Sequence, residues 1–229
     1  NSQTHNTSWQ RNLWNVVTTR KIWPGFFVQL GIVGGLYAFI GLWGVPYLRD
    51  VHGLSRADAA GYMTITLLSF AIGALFFGWF SDWVGKRKSV LIGGMSLYTC
   101  SWLLLIFSNW SPGLSGQLLF GLMGFSGSSF VITFAAAKEV IHPELAGMAV
   151  SIVNTGCFIG AALIQPLFGW MADRTWDGRI QDGVRIYTSG DYSNGLLMML
   201  FFAIIGLFAT CMVRETHCNN ITVGKGDKS

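Results

Sequence analysis

The chain has 229 residues, of which 52% are hydrophobic and only 11% are charged, with a formal net charge of +4. A typical soluble domain carries about 25% charged residues, so this composition excludes a solvated globular surface and indicates an integral membrane protein. The positive charge lies between apolar segments, where it sets topology, and we expect no nucleic-acid binding. The four cysteines lack any spacing typical of a metal site, so we expect neither a metal nor a cofactor.

The segment that precedes the first long apolar run is polar. Trp9, Leu13 and Trp14 recur in it at helical spacing, which predicts an amphipathic interfacial helix within a cytoplasmic linker over residues 1–22. The chain begins at Asn1 without the basic and apolar features of a signal peptide. We interpret it as a piece of a longer protein.

Six apolar windows follow, each without a charged residue or a histidine. A membrane-spanning helix needs about 20 such residues, and the windows do not alternate as barrel strands do. The predicted spans are 23–48, 59–80, 89–107, 114–137, 146–171 and 192–213, followed by a tail over 214–229. The sequence therefore predicts an all-α membrane protein with six transmembrane helices.

Lys and Arg in the short loops predict the orientation, because cytoplasmic loops carry an excess of them. One side of the predicted topology holds Arg11, Arg20, Lys21, Lys86, Arg87, Lys88, Lys138, Arg214, Lys225 and Lys228. The other side holds Arg49, Arg56, Arg174, Arg179 and Arg185. Both ends of the chain are therefore expected in the cytoplasm. The long external loop Ala172–Asp191 is expected to be solvated, with loop-ordering ion pairs of small value.

A short block recurs at the end of the second and the fifth window. "ALFFGWFSDW" at 74–83 matches "QPLFGWMADR" at 165–174 in four positions, which are Phe77/Phe168, Gly78/Gly169, Trp79/Trp170 and Asp82/Asp173. Each block ends the second helix of a three-helix set. Because three is an odd number, the second set enters the membrane from the opposite side and has the inverted orientation. The pattern favours an inverted 3+3 repeat, as in secondary transporters, over chance recurrence.

The first copy continues into a short loop that combines Gly78, Asp82 and Gly85 with the cations Lys86–Lys88. Gly85 permits a tight turn, and Gly78 is expected to permit close helix approach. Asp82 can accept hydrogen bonds from the cations or lie against a helix N-terminus. The alternative is that the cations serve only as a positive-inside signal. The ordered set favours a cytoplasmic gating loop.

This stretch, "GWFSDWVGKRK", resembles the signature loop of the major facilitator superfamily. The matching residues are Gly78, Asp82, Gly85, Lys86 and Arg87, whereas Trp83 stands where the family usually has a cation. The resemblance implies one half of a twelve-helix fold, the C-terminal half with helices 7–12, nearest in style to bacterial sugar-phosphate and organic-anion permeases. It implies that Asp82 latches against the missing N-terminal half and that the protein lies in a bacterial inner membrane.

The windows carry no ionisable side chain, so uncharged polar groups are the candidates for a substrate cavity. Lipid-facing amides are costly, and Gln29, Tyr37, Asn154 and Gln165 are expected to line the cavity. The alternative is that such groups hold helices together, which we favour for the Ser and Thr residues. Any proton-titrating carboxylate is then expected in the missing half.

The first window ends in "GLWGVPYL", with a proline that kinks a helix. Trp43, Pro46 and Tyr47 form a possible external gate, and an ordinary helix end with interfacial aromatics is an equal alternative.

The function expected from these features is secondary active transport of a small polar or anionic organic solute by alternating access, with protons as a possible coupling ion. The partners are then the solute, the lipid bilayer and the other half. A transporter-like sensor and a stand-alone six-helix scaffold are the alternatives. The spans hold no nucleophile–base set, so no enzyme is expected.

Overall fold

The computed structural model describes residues 9–181 and 183–223. A short helix comes first and is followed by six helices that are long and apolar enough to cross a membrane. They are α1 (Trp9–Val17), α2 (Trp23–His52), α3 (Arg56–Val84), α4 (Arg87–Phe107), α5 (Leu114–Glu139), α6 (Pro143–Asp173) and α7 (Ser189–Met212). Two short strands, β1 (Ile180–Gln181) and β2 (Val184–Arg185), lie between α6 and α7. The predicted fold class, an all-α bundle of six membrane helices, is confirmed.

Most of the helices extend beyond the apolar windows, because capping groups decide where a helix ends. Ser55 precedes α3 and its hydroxyl accepts the N–H of Asp58 at 3.1 Å, so the helix begins before the apolar run does. At the other end Gly85 has φ +69°, a left-handed conformation that favours glycine and stops the helix. Charged residues thereby lie at both ends of this helix.

Helix α2 departs from regular α-helical geometry in two places. The segments Gln29–Val33 and Phe39–Trp43 have π-helical hydrogen bonding. Such π-segments are often found at functional sites. The buried hydroxyl of Tyr98, on α4, donates to the carbonyl oxygen of Ile32 at 3.1 Å within the first π-segment. This irregular region is therefore fixed by a side chain from a neighbouring helix.

The helices pair across the two three-helix sets in a pattern that fits the repeat. Helix α3 packs on α5, α2 on α6, and α4 on α7. The inverted repeat makes α2 equivalent to α5, α3 to α6 and α4 to α7. It therefore converts the α3–α5 pair into the α6–α2 pair and maps the α4–α7 pair onto itself, so the packing has the pseudo-two-fold symmetry predicted from the sequence.

Close contacts between these pairs depend on glycine. A Cβ on Gly124 of α5 would lie 2.0 Å from the carbonyl oxygen of Thr66 on α3. A Cβ on Gly34 of α2 would lie 2.6 Å from the Cα of Gly160 on α6. Small residues let membrane helices approach to backbone contact, and these positions use that freedom.

Two apolar clusters hold the bundle. The larger lies among the membrane helices, with Trp102, Phe39 and Phe120 fully buried. The smaller lies at one end of the bundle, where Val16 of α1 and Ile22 pack against α5 and α6 through residues that include Ala137, Ala149 and Val153. The second cluster attaches the linker helix to the bundle.

The loop between α6 and α7 is more ordered than the sequence indicates. Its strands pair antiparallel, with Ile180 opposite Arg185 and Gln181 opposite Val184. Ion pairs of the expected kind form, between Asp177 and Arg179 and between Asp173 and Arg185, and hydrogen bonds that the charge pattern does not reveal add to them. The indole N–H of Trp176 donates to the carbonyl oxygen of Ile186 at 3.0 Å.

Candidate functional site

A charge cluster lies where α3, α4, α5 and the segment after α7 meet. Its centre is Arg87, whose residue surface is only 7% exposed. Nη1 donates to Ser81 at 2.6 Å and to Asp82 at 2.5 Å, and Nη2 donates to Glu139 at 2.9 Å. A guanidinium presents several donors in a rigid plane, which suits such a branched contact better than a lysine amine.

Each acidic partner of Arg87 has a different exposure. The Glu139 side chain, at the end of α5, is 12% exposed and also accepts the hydroxyl hydrogen of Thr216. The Asp82 side chain is 66% exposed. The Asp82 side chain is therefore accessible to another protein surface, whereas the Glu139 side chain makes its contacts within this chain.

A second carboxylate closes the cluster from the C-terminal side. Glu215 accepts the backbone N–H of Arg87 at 2.9 Å and of Lys88 at 3.0 Å. These are the first N–H groups of α4, which have no partner within the helix and favour a negative charge. Burial raises the pKa of the Glu215 carboxyl, but the backbone N–H groups that donate to it outweigh burial, so its pKa lies below the usual value.

Replacing Glu215 with glutamine is expected to lower the stability of the purified protein by about 1 kcal/mol at neutral pH, as for the loss of a helix cap. Because the pKa of Glu215 is lowered by folding, its stabilisation exists above the unfolded pKa and is lost as the pH falls through the folded value. The difference in Tm between parent and Glu215→Gln should thus shrink below about pH 4. The exposed Glu144 supplies the control, Glu144→Gln, and a pH-independent difference would contradict the assignment.

Both copies of the sequence repeat end in an aspartate–arginine pair. Asp82 pairs with Arg87, and Asp173 pairs with Arg185 at 2.7 Å and accepts from the Tyr187 hydroxyl at 2.8 Å. The two pairs lie at opposite ends of the bundle. The sequence indicates the aspartates but not the arginine that closes the second pair.

The other residues of the predicted gating loop, Gly78, Gly85 and Lys86, differ in how far the structure agrees with the roles expected for them. Gly85 adopts the left-handed turn that the sequence indicates. A Cβ on Gly78 would meet no atom within 4 Å, so the close approach expected there is absent among the described residues. Lys86 is exposed and forms no ion pair within residues 9–181 and 183–223.

Three of the four predicted cavity residues are half-buried, and the fourth is not accessible. Gln29 is fully buried, and its Nε2 donates to Thr133 at 3.1 Å, so it lies between helices rather than on a surface of this chain. Asn154 and Gln165 are about three turns apart on the same face of α6. Gln165 faces Gly41, whose Cβ would lie 3.6 Å from its Nε2, and Tyr37 is about one turn before Gly41 on α2.

The opposite end of the bundle holds a cavity of about 410 Å³. It is lined by Trp43, Pro46, Arg49, Asp50, Val184, Arg185, Ile186, Tyr187 and Tyr192. Two of the predicted gate residues, Trp43 and Pro46, line it, whereas Tyr47 is buried behind it. The Trp43 ring stacks on Phe168 at 4.5 Å, and its indole N–H donates to the carbonyl oxygen of Gln165 at 3.0 Å.

Several membrane helices leave apolar faces without a partner in this chain, and α3 and α6 are the least buried of the six. On α3 the exposed large side chains are Leu67, Leu68, Ile72, Leu75, Phe76, Trp79 and Trp83. On α6 they are Phe158, Ile159, Leu163, Leu167 and Trp170. In the described ranges no group of His, Cys, Asp or Glu could hold a metal ion.

Comparison with known proteins agrees with this architecture. A family model described as Major Facilitator Superfamily matches residues 3–164. The D-galactonate transporter of Escherichia coli O6:H1 (strain CFT073) is 22% identical over 69% of this chain and 38% of its own length. The membrane sensor protein UhpC of Escherichia coli K12 is 30% identical over 61% of this chain and 32% of its own length. The chain thus spans between 32% and 38% of the length of these curated relatives.

Solved structures show the same relation. The fucose:proton symporter FucP of E. coli superposes with a TM-score of 0.69 at 17% identity, over 90% of this chain and 46% of that chain. FucP in the outward conformation gives a TM-score of 0.70 over 93% of this chain and 47% of that chain. Because the family model covers more than half of the sequence and the fold matches half of FucP, this chain belongs to the Major Facilitator Superfamily and forms one half of its fold.

Proposed function

We propose that the chain is the C-terminal half of a secondary active transporter that moves a small polar or anionic organic solute by alternating access. The observation that carries the proposal is the polar strip of Tyr37, Asn154 and Gln165. It lies near the apolar faces of α3 and α6, which have no partner in this chain. A second six-helix half packed on those faces would close a path along the strip, with the site near the midplane.

The charge cluster fits the requirements of such a mechanism. Alternating access is largely a rigid-body movement of one half against the other. Arg87 joins α3, α4 and α5, and Glu215 adds the C-terminal segment, so one end of this half moves as a unit. We propose that Asp82, the exposed member, contacts the other half and holds the cytoplasmic side closed, with both ends of this chain in the cytoplasm of a bacterium.

Replacing Asp82 with alanine is expected to reduce transport about tenfold while leaving membrane insertion intact. Its side chain is 66% exposed, and exposed ion pairs contribute about 1 kcal/mol or less to stability. Initial uptake rates at matched surface expression measure the effect. Asp177→Ala removes an exposed aspartate paired with Arg179 outside the cluster and serves as control. Equal uptake by Asp82→Ala and the parent would exclude the latch.

The class of solute is proposed from the names of the relatives. The location of any proton-binding group is proposed from the lack of charged side chains in the apolar windows. One relative is named a D-galactonate transporter and FucP is named a fucose:proton symporter, so a hydroxylated solute, carboxylate or sugar, is the first choice. The six apolar windows hold no charged side chain. If protons drive transport, the titrating group therefore lies in the other half.

The test uses the complete reading frame that contains this chain, reconstituted into proteoliposomes. D-galactonate and fucose are supplied with and without a pH gradient, and gradient-dependent accumulation of either supports the proposal. Saturable binding without flux would favour the sensor alternative, since one relative is named a sensor. A product that proves to have only these six spans would favour the scaffold.

A further inference from the structure

A narrow cleft lies at the end of the bundle that carries Arg87. It is lined by Lys21, Ile22, Gly25, Thr133, Ala136, Ala137, Val140, Val213 and Arg214. Seven of these residues are buried, whereas Lys21 and Arg214 are exposed, so the cleft has a buried, mostly apolar floor and a cationic rim. Its interior of about 10 Å³ holds no more than a water molecule, so a larger ligand can bind only at the rim.

The charge of the rim is not compensated within the described part of the chain. Neither Lys21 nor Arg214 forms an ion pair there. The carboxylates at this end that the bundle holds in place are engaged elsewhere: Glu139 binds Arg87 and Glu215 caps α4. Two neighbouring cations over an apolar floor match an anionic group attached to an apolar body.

The linker helix α1 lies beside this rim and carries exposed aromatic side chains. Val16 is buried against the bundle, which fixes the helix beside the cleft. Trp9, Leu13 and Trp14 are 65%, 39% and 68% exposed, and Arg11 is exposed as well. Exposed tryptophans beside a membrane span are typical of the headgroup layer, where an amphipathic helix lies flat.

We propose that Lys21 and Arg214 bind the phosphate of an anionic phospholipid of the adjacent leaflet, while α1 lies among the headgroups. The phosphate bridges the ammonium and guanidinium groups by charge-assisted hydrogen bonds. The acyl chains, which the cleft cannot admit, remain in the bilayer. Basic pockets between helix ends are suited to anionic headgroups. This site is independent of the transported solute.

The test is lipid retention by the purified full-length protein, measured by native mass spectrometry after extraction from phosphatidylcholine vesicles that contain a minor share of phosphatidylglycerol. The parent should retain phosphatidylglycerol in preference to phosphatidylcholine. The Lys21→Ala/Arg214→Ala variant should retain about thirtyfold less, from the usual contribution of two basic residues. Arg49→Ala/Arg56→Ala removes two exposed cations from the opposite end and should retain as much as the parent.

Equal retention by the rim variant and the parent, or equal loss in both double variants, would overturn the proposal. Inorganic phosphate distinguishes a lipid headgroup from a free anion: displacement of the lipid by millimolar phosphate would also overturn it. If the alanine variant loses helical content, Lys21→Gln/Arg214→Gln keeps part of the aliphatic stems, and the same loss of lipid is expected. Transport assays do not enter the comparison, so its outcome is separate from that of the transport proposal.

Discussion

Replacing Arg87 with alanine is expected to lower the free energy of unfolding by about 3–5 kcal/mol and to abolish most transport. The substitution leaves the Glu139 carboxylate, 12% exposed, without its cation, and removing one partner of a buried pair costs that much. It also deprives Ser81 and Asp82 of their common donor. Thermal unfolding in detergent and initial uptake rates measure the two effects.

The matched control is Lys86→Ala, the adjacent cation, which is exposed and forms no ion pair in the described ranges; it should shift Tm little. A double variant, Arg87→Ala/Glu139→Gln, should recover part of the lost stability because it removes the uncompensated charge. Arg87→Lys should be intermediate, since one amine cannot reproduce the guanidinium contacts. A Tm for Arg87→Ala equal to that of Lys86→Ala would show that the cluster is not structural.

The helices and their repeat could be predicted because the signals are local. A membrane span is decided by an uninterrupted apolar run, and the turn at Gly85 by a residue type that tolerates φ +69°. Asp82 and Asp173 could be identified as equivalent positions because the same residue types recur around both. None of these inferences needs knowledge of which helix lies beside which.

The partners of Arg87 could not be predicted, for the opposite reason. Glu139 and Glu215 are distant in sequence and lie in unremarkable polar segments. Only the packing of α4 against α5 and against the segment after α7 brings them together. The same packing buries Arg87 but not its neighbours Lys86 and Lys88, and the three cations look alike in the sequence. Likewise Gln29 is an amide in an apolar window, and only its contact with Thr133 shows that it joins two helices.

Replacing Gly160 with valine is expected to lower stability by about 3 kcal/mol or more and to remove transport with it. A Cβ at this position would lie 2.3 Å from the carbonyl oxygen of Leu30 and 3.0 Å from the Cα of Gly34, both backbone atoms of α2 that cannot move without separating the helices. The same contact supports the first π-segment of α2, so its loss should disturb the region that carries Tyr37.

The control for this prediction is Gly93→Val on α4, where a Cβ meets no atom within 4 Å. It carries the same change in helix propensity and volume, so any difference between the two variants comes from the contact of α2 with α6. That pair and its repeat mate, α3 with α5, join the two inverted sets of helices, and both depend on glycine at the crossing. Similar Tm values for Gly160→Val and Gly93→Val would mean that the two sets are held together elsewhere, and the rigid half on which the transport mechanism depends would need another explanation.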